Sequence, residues 1–514
     1  MISEITLLVK KLGIRGAWLS MLAAEIGARP ELNYVVRDKM FKGVKPLENR
    51  ALQGLTIGEI GILYEYCVAL IDPASRKGEG QFFTPDDVAE FLVSQTKKFT
   101  QGIWMDPCSG IGNLSWHLVD AQKDKEKFLL ENLVLMDKDA LALDIARVLF
   151  TISFQKNIHD LFHRIKDSFR VFDFLSVSDN GQQLPAFNSD LAGIPSHDFV
   201  LVNPPYLAVA KADIRFELAS CKDLYGYFLE NIMKTSKGFV SITPQSFTHA
   251  GKFGNLREFM LAKFPNIRIY NFDNIPGNIF YGFKFGSSNS NTANSIRVAI
   301  TVARQGKPSN EITSLLRWRT SERLELFMNI DRFVSETTFN RQFFAKVSSI
   351  FAPLYKETLE WPRLESLFAS TETSFPLFIP SSPRYFISAL KTPVKRASMK
   401  TLFFQNEKDQ NRAYLLLNSS LAYWWWRVRD GGMTLSLETL KSVPLPKFSL
   451  NSKLIDKLEK SETTNLVYKQ NAGSAQENVK HDKALIEGLN ELVAPKFASK
   501  LILAHENSEL IQNY

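Results

Sequence analysis

Apolar positions in residues 1–75 recur at helix-like spacing: Ile5, Leu7, Leu8 and Leu12, then Ile57, Ile60, Ile62, Leu63 and Tyr66. That period predicts helices. A charged loop with glycines, Arg76-Lys77-Gly78-Glu79-Gly80, follows. From residue 100 to 305 the pattern changes to short apolar runs separated by helical stretches. The strand candidates are Gly102–Met105, Leu133–Met136, Phe199–Val202, Phe239–Thr243, Ile267–Phe272 and Ile296–Val302. Such alternation predicts a doubly wound α/β sheet. Gly286–Ser295 reads as a polar loop before the last of these strands. Beyond residue 306 the pattern is irregular and rich in aromatics. Residues 451–480 read as a polar linker with some helix, and Asp482–Leu492 as a final helix. The expected division is a helical region at 1–75, an α/β domain at 76–305, an α+β domain at 306–450 and a helical tail at 451–514.

Composition narrows this picture. A chain of 514 residues predicts two or three domains. With 45% hydrophobic and 23% charged residues it reads as globular. Met1-Ile2-Ser3-Glu4 lacks the layout of a secretory signal, and no apolar run approaches the roughly 20 residues of a membrane span. Cys67, Cys108 and Cys221 show neither a disulfide framework nor metal-ligand spacing. The expectation is a reducing cytoplasm, with no membrane partner and no metal. The net charge of +8 is unevenly spread: Ser381–Leu450 holds 11 Lys/Arg against 4 Asp/Glu. That is the footprint of a phosphate-contacting surface or, more blandly, of a solvated basic face.

Several motifs sit where such a sheet would bind a ligand. Asp106-Pro107-Cys108-Ser109-Gly110-Ile111-Gly112 follows a strand and opens a helical stretch. Its glycines let backbone approach a ligand, although a plain strand-to-helix turn would read the same. The next strand ends in Asp137-Lys138-Asp139. Asp137 there can take both hydroxyls of a ribose, unless it or Asp139 caps the following helix. Asp173 is placed to accept from an adenine amino group. Phe174 stacks on that ring or belongs to the core.

The sharpest signal is Asn203-Pro204-Pro205-Tyr206, directly after the strand Asp198–Val202. Two prolines fix the backbone and keep a helix from starting there. An aromatic amine is a poor nucleophile because its lone pair is delocalised into the ring. Two acceptors aimed at its N–H bonds, the Asn203 side-chain oxygen and the Pro204 carbonyl, favour the pyramidal state that can attack a methyl group. Tyr206 is placed to stack on the base. The alternative is an Asn-Pro turn beside a core tyrosine.

At these residues the chain resembles the gamma-class N6-adenine DNA methyltransferases of restriction–modification systems, over roughly residues 58–305. Gly80-Gln81-Phe82-Phe83-Thr84-Pro85 looks like the family's first cofactor motif, and Ile57–Tyr66 like the helix before it. The resemblance implies a class I S-adenosylmethionine-dependent methyltransferase fold, a doubly wound mixed sheet. It implies S-adenosylmethionine as cofactor, with Thr84, Pro85, Asp106, Cys108, Gly110, Gly112, Asp137, Asp173, Phe174, Asn203 and Pro205 around it. Asn203 to Tyr206 match the catalytic motif, and Phe253 falls where some members stack an aromatic on the target base. The implied partner is double-stranded DNA, its adenine turned out of the helix. A separately encoded cognate restriction endonuclease is a candidate second partner.

Residues 306–450 interleave basic and aromatic side chains, as in Arg384-Tyr385-Phe386, Lys395-Arg396 and Tyr423-Trp424-Trp425-Trp426-Arg427-Val428-Arg429. Arg384, Lys395, Arg396, Arg427 and Arg429 are the candidate DNA contacts. Arg427 and Arg429 would share a face in a strand. At least two of the tryptophans are expected in the core. Two other readings stay open: a modification subunit that borrows recognition from a separate specificity chain, and an N-methyltransferase acting on RNA or protein.

Overall fold

The computed structural model describes residues 2–71, 84–176, 193–280, 296–383, 385–432, 434–471 and 474–511. The charged loop Arg76–Gly80, Gly80 to Phe83 of the first cofactor motif, the polar loop Gly286–Ser295 and Arg384 lie outside the described residues. The chain forms two compact units. The first is Met1–Phe247, Gly251–Ile269 and Asn278–Asn310; the second is Thr248–Ala250, Tyr270–Gly277 and Glu311–Tyr514.

In the first unit the N-terminal region is helical. Helix α1 (Ile2–Gly27) breaks at Gly13, whose φ is +70°. Helix α2 (Ile57–Ile71) packs beside it, and Trp18, Leu22, Leu63 and Cys67 bury their side chains in one cluster with Ile145 and Val148. The α/β part follows. Strands β1 (Trp104–Asp106), β2 (Leu133–Asp137), β3 (Phe169–Val171), β4 (Phe199–Val202) and β5 (Gly238–Pro244) lie parallel in the order β3-β2-β1-β4-β5. Beyond them, β6 (Asn266–Phe272) begins in this unit, and β7 (Val298–Arg304) runs antiparallel to β5, so the sheet is mixed. All four residues of β4 are buried, as a central parallel strand covered on both faces requires. Helices α3 (Asp86–Thr96), α4 (Asn113–Asp120), α5 (Ala140–Phe154) and α6 (Leu224–Thr235) belong to the same unit. Parallel strands bring Asp106, Asp137 and Asn203 to the same, C-terminal edge of the sheet, where open α/β sheets bind ligands.

The second unit pairs β8 (Ser309–Leu316) with β9 (Val334–Glu336) and β10 (Pro376–Pro380) with β11 (Met399–Phe403), both antiparallel. Its core gathers around helices α7 (Glu407–Leu417) and α8 (Ser420–Arg429). Residues 451–480 are more ordered than a linker: α9 (Ser452–Thr464) leads into the hairpin β12 (Leu466–Asn471) and β13 (Ser474–Val479). The region expected as a helical tail contributes side chains to this unit's core. Ile455, Leu458, Leu489, Val493 and Leu501 are buried in the same cluster as Trp424 and Trp425. Among the described residues no helix is long and apolar enough to cross a membrane.

Candidate active site

Asp106 ends β1 and is 2% exposed. Its Oδ1 accepts the Cys108 amide at 3.3 Å and its Oδ2 accepts Ser115 Oγ at 3.2 Å. Burial, with the charge of Asp137 adding to it, pushes the carboxyl up to about 7. Asp137 ends β2. Its Oδ2 accepts the Gly110 amide at 2.7 Å, its Oδ1 accepts the Asp139 amide at 2.9 Å, and burial raises it too. Asp139, not Asp137, caps α5, taking the amides of Leu141 and Ala142. It also accepts from Tyr64 on α2, which fastens the N-terminal helices to this turn.

The two glycines between these acids do different work. Gly112 has φ +86°, and a Cβ there would stand 2.7 Å from the Phe150 ring. Gly110 has φ +54°, and a Cβ there would meet no described atom within 4 Å. So Gly112 is required by packing, whereas Gly110 presents bare backbone to open space.

Asn203 follows β4 directly. Its Nδ2 donates to Thr84 Oγ1 at 3.0 Å, and its backbone carbonyl accepts from Cys108 Sγ at 3.4 Å. Thr84 is buried, and its own carbonyl accepts from Asn113 Nδ2 at 2.8 Å. Residues 84, 108, 113 and 203, from three separate segments, therefore meet. Pro85 occupies the position just before α3, and Pro204 is buried. The Tyr206 hydroxyl donates to the Ile242 carbonyl at 2.9 Å, and its ring lies edge-on to Tyr225 with centroids 6.4 Å apart. Burial holds the Tyr206 phenol well above its ordinary value, so it stays neutral.

Asp173 lies exposed in the turn after β3. One of its carboxylate oxygens accepts the Leu175 amide at 2.9 Å. Two of the aromatics considered for stacking are buried against protein rings. The Phe174 ring is buried and packs on Phe228 with centroids 5.4 Å apart, so it is core. Phe253 is 0% exposed and packs on Tyr225 at 5.1 Å, so it offers no free face to a base.

The basic segment is also corrected in part. Residues 420–429 form a helix, not a strand, so side chains two apart point in widely different directions. Arg427 is 8% exposed: its Nη1 pairs with Asp273 Oδ2 at 2.9 Å and its Nη2 donates to the Leu315 carbonyl. A guanidinium spent this way is not a DNA contact. Arg429 is half-buried over the Phe343 ring, 4.8 Å from its centroid. Arg396 bonds Asn478, while Lys395 is exposed. All three tryptophans are buried, in agreement with the expectation of at least two in the core. Among the described residues no group of three or more His, Cys, Asp or Glu side chains is placed to hold a metal.

Sequence reasoning gave no role to Asn113, in the run that carries the glycine turn, or to the pair Asp86–His117. Asn113 had a local signal, being the first helical residue after the glycine turn. Asp86 had none: its partners Thr56 Oγ1 (2.6 Å), the Gly58 amide (3.0 Å) and His117 Nε2 (3.0 Å) lie about 30 residues away on either side.

The mixed sheet, in this strand order, agrees with the class I S-adenosylmethionine-dependent methyltransferase fold that the motifs imply. More particularly, residues 131–280 match the family described as Eco57I restriction-modification methylase. No curated protein matches the chain. Among solved structures, the chain is similar to DrdV in a DNA complex (14% identity, 74% of this chain, 44% of that one, TM-score 0.48). It is also similar to the ATP-dependent Type ISP restriction-modification enzyme LlaBIII bound to DNA (13%, 92%, 36%, 0.42). A third is the type IIG restriction endonuclease BpuSI (12%, 97%, 76%, 0.43). The chain spans less than half the length of the first two. These distant likenesses carry no argument about chemistry.

Proposed function

We propose that the first unit is an S-adenosylmethionine-dependent methyltransferase acting on N6 of adenine in double-stranded DNA, as part of a restriction–modification system. The observation that carries this is the Asn203 amide, fixed at the C-terminal end of β4 with its Nδ2 on Thr84 and its carbonyl beside the glycine turn.

The residues fit the cofactor. Gly110 turns bare backbone to open space, and two buried carboxylates raised by burial, Asp106 and Asp137, stand beside it. Donors such as ribose hydroxyls and an ammonium group suit such acceptors. Thr84, Pro85, Cys108, Gly112, Asp173 and Pro205 complete the proposed surroundings. When bound, S-adenosylmethionine supplies an electrophilic methyl group on sulfonium.

The chain's part is to prepare the amine. Asn203 Oδ1 and the Pro204 carbonyl accept from the two N6–H bonds and stabilise the positive charge that grows on nitrogen. Tyr206, held by Ile242, stacks on the extruded base. With the methyl group supplied by bound cofactor, N6 would accept it and give up one proton to solvent. Exposed Lys395 remains a proposed phosphate contact, as do the half-buried Arg396 and Arg429.

The test is Asn203→Ala. It should abolish turnover and leave cofactor affinity within a few-fold; turnover intact at saturating cofactor sinks the assignment. The burial of Arg427 favours a second reading, a modification subunit that takes its sequence recognition from another chain. A separately encoded cognate endonuclease is the proposed second partner.

A further inference from the structure

The amide of Asn203 can serve an amine only if its oxygen, not its nitrogen, faces the amine. An amide can rotate by half a turn and present the wrong end, since its two ends have the same shape. Something on the protein must therefore distinguish them. Thr84 Oγ1 lies 3.0 Å from Asn203 Nδ2 and accepts from it. A hydroxyl can itself donate, so this contact alone is not absolute. It does become selective if the hydroxyl oxygen is held in one place. It is held: Thr84 is 4% exposed, and Asn113 Nδ2 donates to its backbone carbonyl at 2.8 Å. Asn113 in turn is buried at the start of α4, immediately after Gly112.

The next residues lock the segment from its other side. Asp86, two positions on, accepts from Thr56 Oγ1, the Gly58 amide and His117 Nε2. A Cβ at Gly58 would lie 2.4 Å from the Asp86 carboxylate, so α2 and α3 approach as closely as a glycine allows. Thr84 thus sits between two anchors, one on α4 and one on α2.

We propose that Thr84 is a positioning residue for Asn203, orienting its amide and strengthening its oxygen as an acceptor. The second effect is electronic. Drawing on an amide N–H shifts electron density onto the carbonyl oxygen, because hydrogen bonds in a chain polarise one another. Thr84 therefore acts on the reaction through Asn203 rather than on the substrate. The inference rests on the catalytic role of Asn203 proposed above.

The experiment compares Thr84→Val, which removes Oγ1 and keeps the branched shape, with Thr84→Ser, which keeps Oγ1. Turnover is measured as methyl transfer from labelled S-adenosylmethionine to mixed-sequence duplex DNA, and cofactor affinity by calorimetry. Thr84→Val should lower kcat at saturating cofactor on the order of tenfold, the worth of one hydrogen bond. Thr84→Ser should restore most of the kcat. A raised cofactor Kd with unchanged kcat at saturation would make Thr84 a cofactor ligand only and overturn the proposal. So would equal losses in both variants, or no loss in either. If Thr84→Val fails to fold by circular dichroism, Thr84→Ala against Thr84→Ser carries the same comparison. The native protein separates the two possible failures: no N6-methyladenine from it defeats the functional reading, whereas product from it and from Thr84→Val alike defeats only the positioning role.

Discussion

Gly112 and Gly110 are two residues apart in one turn, both with positive φ, yet alanine should do different things at each. At Gly112 the added Cβ would meet Phe150 Cε2 at 2.7 Å, Phe150 Cζ at 3.1 Å and Leu135 Cδ2 at 3.2 Å, and both neighbours are fully buried. Overpacking of this kind costs about 1–3 kcal/mol, and the left-handed backbone adds about 1–2 kcal/mol for a residue with a Cβ. Gly112→Ala should therefore destabilise the protein by roughly 2–5 kcal/mol, a fall in Tm of roughly 5–15 °C. At Gly110 only the backbone term applies, about 1–2 kcal/mol, because no described atom lies within 4 Å of the new Cβ. Gly110→Ala should instead fill space offered to the cofactor and weaken its binding severalfold or more. Calorimetric melting and titration with S-adenosylmethionine read both quantities on the same samples. Equal Tm values for the two variants, or weaker cofactor binding in Gly112→Ala alone, would refute this division of labour.

Three further expectations concern charge. Asp106 holds its proton up to about pH 7 when folded, whereas an unfolded aspartate releases it near pH 4. Its contribution to stability is therefore lost as pH rises from about 4 to about 7 and is level above that, a change of at most roughly 4 kcal/mol. Asp106→Asn should flatten this part of the urea-denaturation profile, and an unaltered slope would show that the carboxyl is not buried as described. Arg427→Ala leaves Asp273 with Arg317, whose Nε lies 3.1 Å away, so its cost is about 2–3 kcal/mol, below that of stripping a buried charge of every partner. The salt dependence of DNA binding should not change in Arg427→Ala, since a buried arginine releases no counterions from DNA; a flatter slope would return it to the interface. Lys395→Ala, by contrast, should reduce that slope by about one, and an unchanged slope removes Lys395 from the proposed interface.

The α/β half was legible because its signals are local. Strand β4 is an unbroken apolar run, and the tetrapeptide after it names its own position. All six strand candidates lie within two residues of an observed strand, while the three-residue β3 was missed: its Phe169 is half-buried and its other two residues are exposed. The resolution of Asp137 against Asp139 was not legible. Both acids precede the same helix, and only the tertiary contact with Gly110 separates their roles. Phe174 and Phe253 show the opposite limit: an aromatic in a ligand-like motif reads the same whether it stacks on a base or on Phe228 or Tyr225. In the second unit the pattern misled for a physical reason. Tyr423 to Arg429 is apolar on every side because α8 is buried all round, which removes the helical period, and its arginine is paired inside with an aspartate some 150 residues earlier.

The central claim is that this chain methylates adenine in DNA. The most direct measurement incubates the purified chain alone with labelled S-adenosylmethionine and mixed-sequence duplex DNA, then digests the DNA to nucleosides. The account predicts label in N6-methyladenine, lost in Asn203→Ala. Label absent from the DNA, with the cofactor still bound, would contradict it for the chain acting by itself.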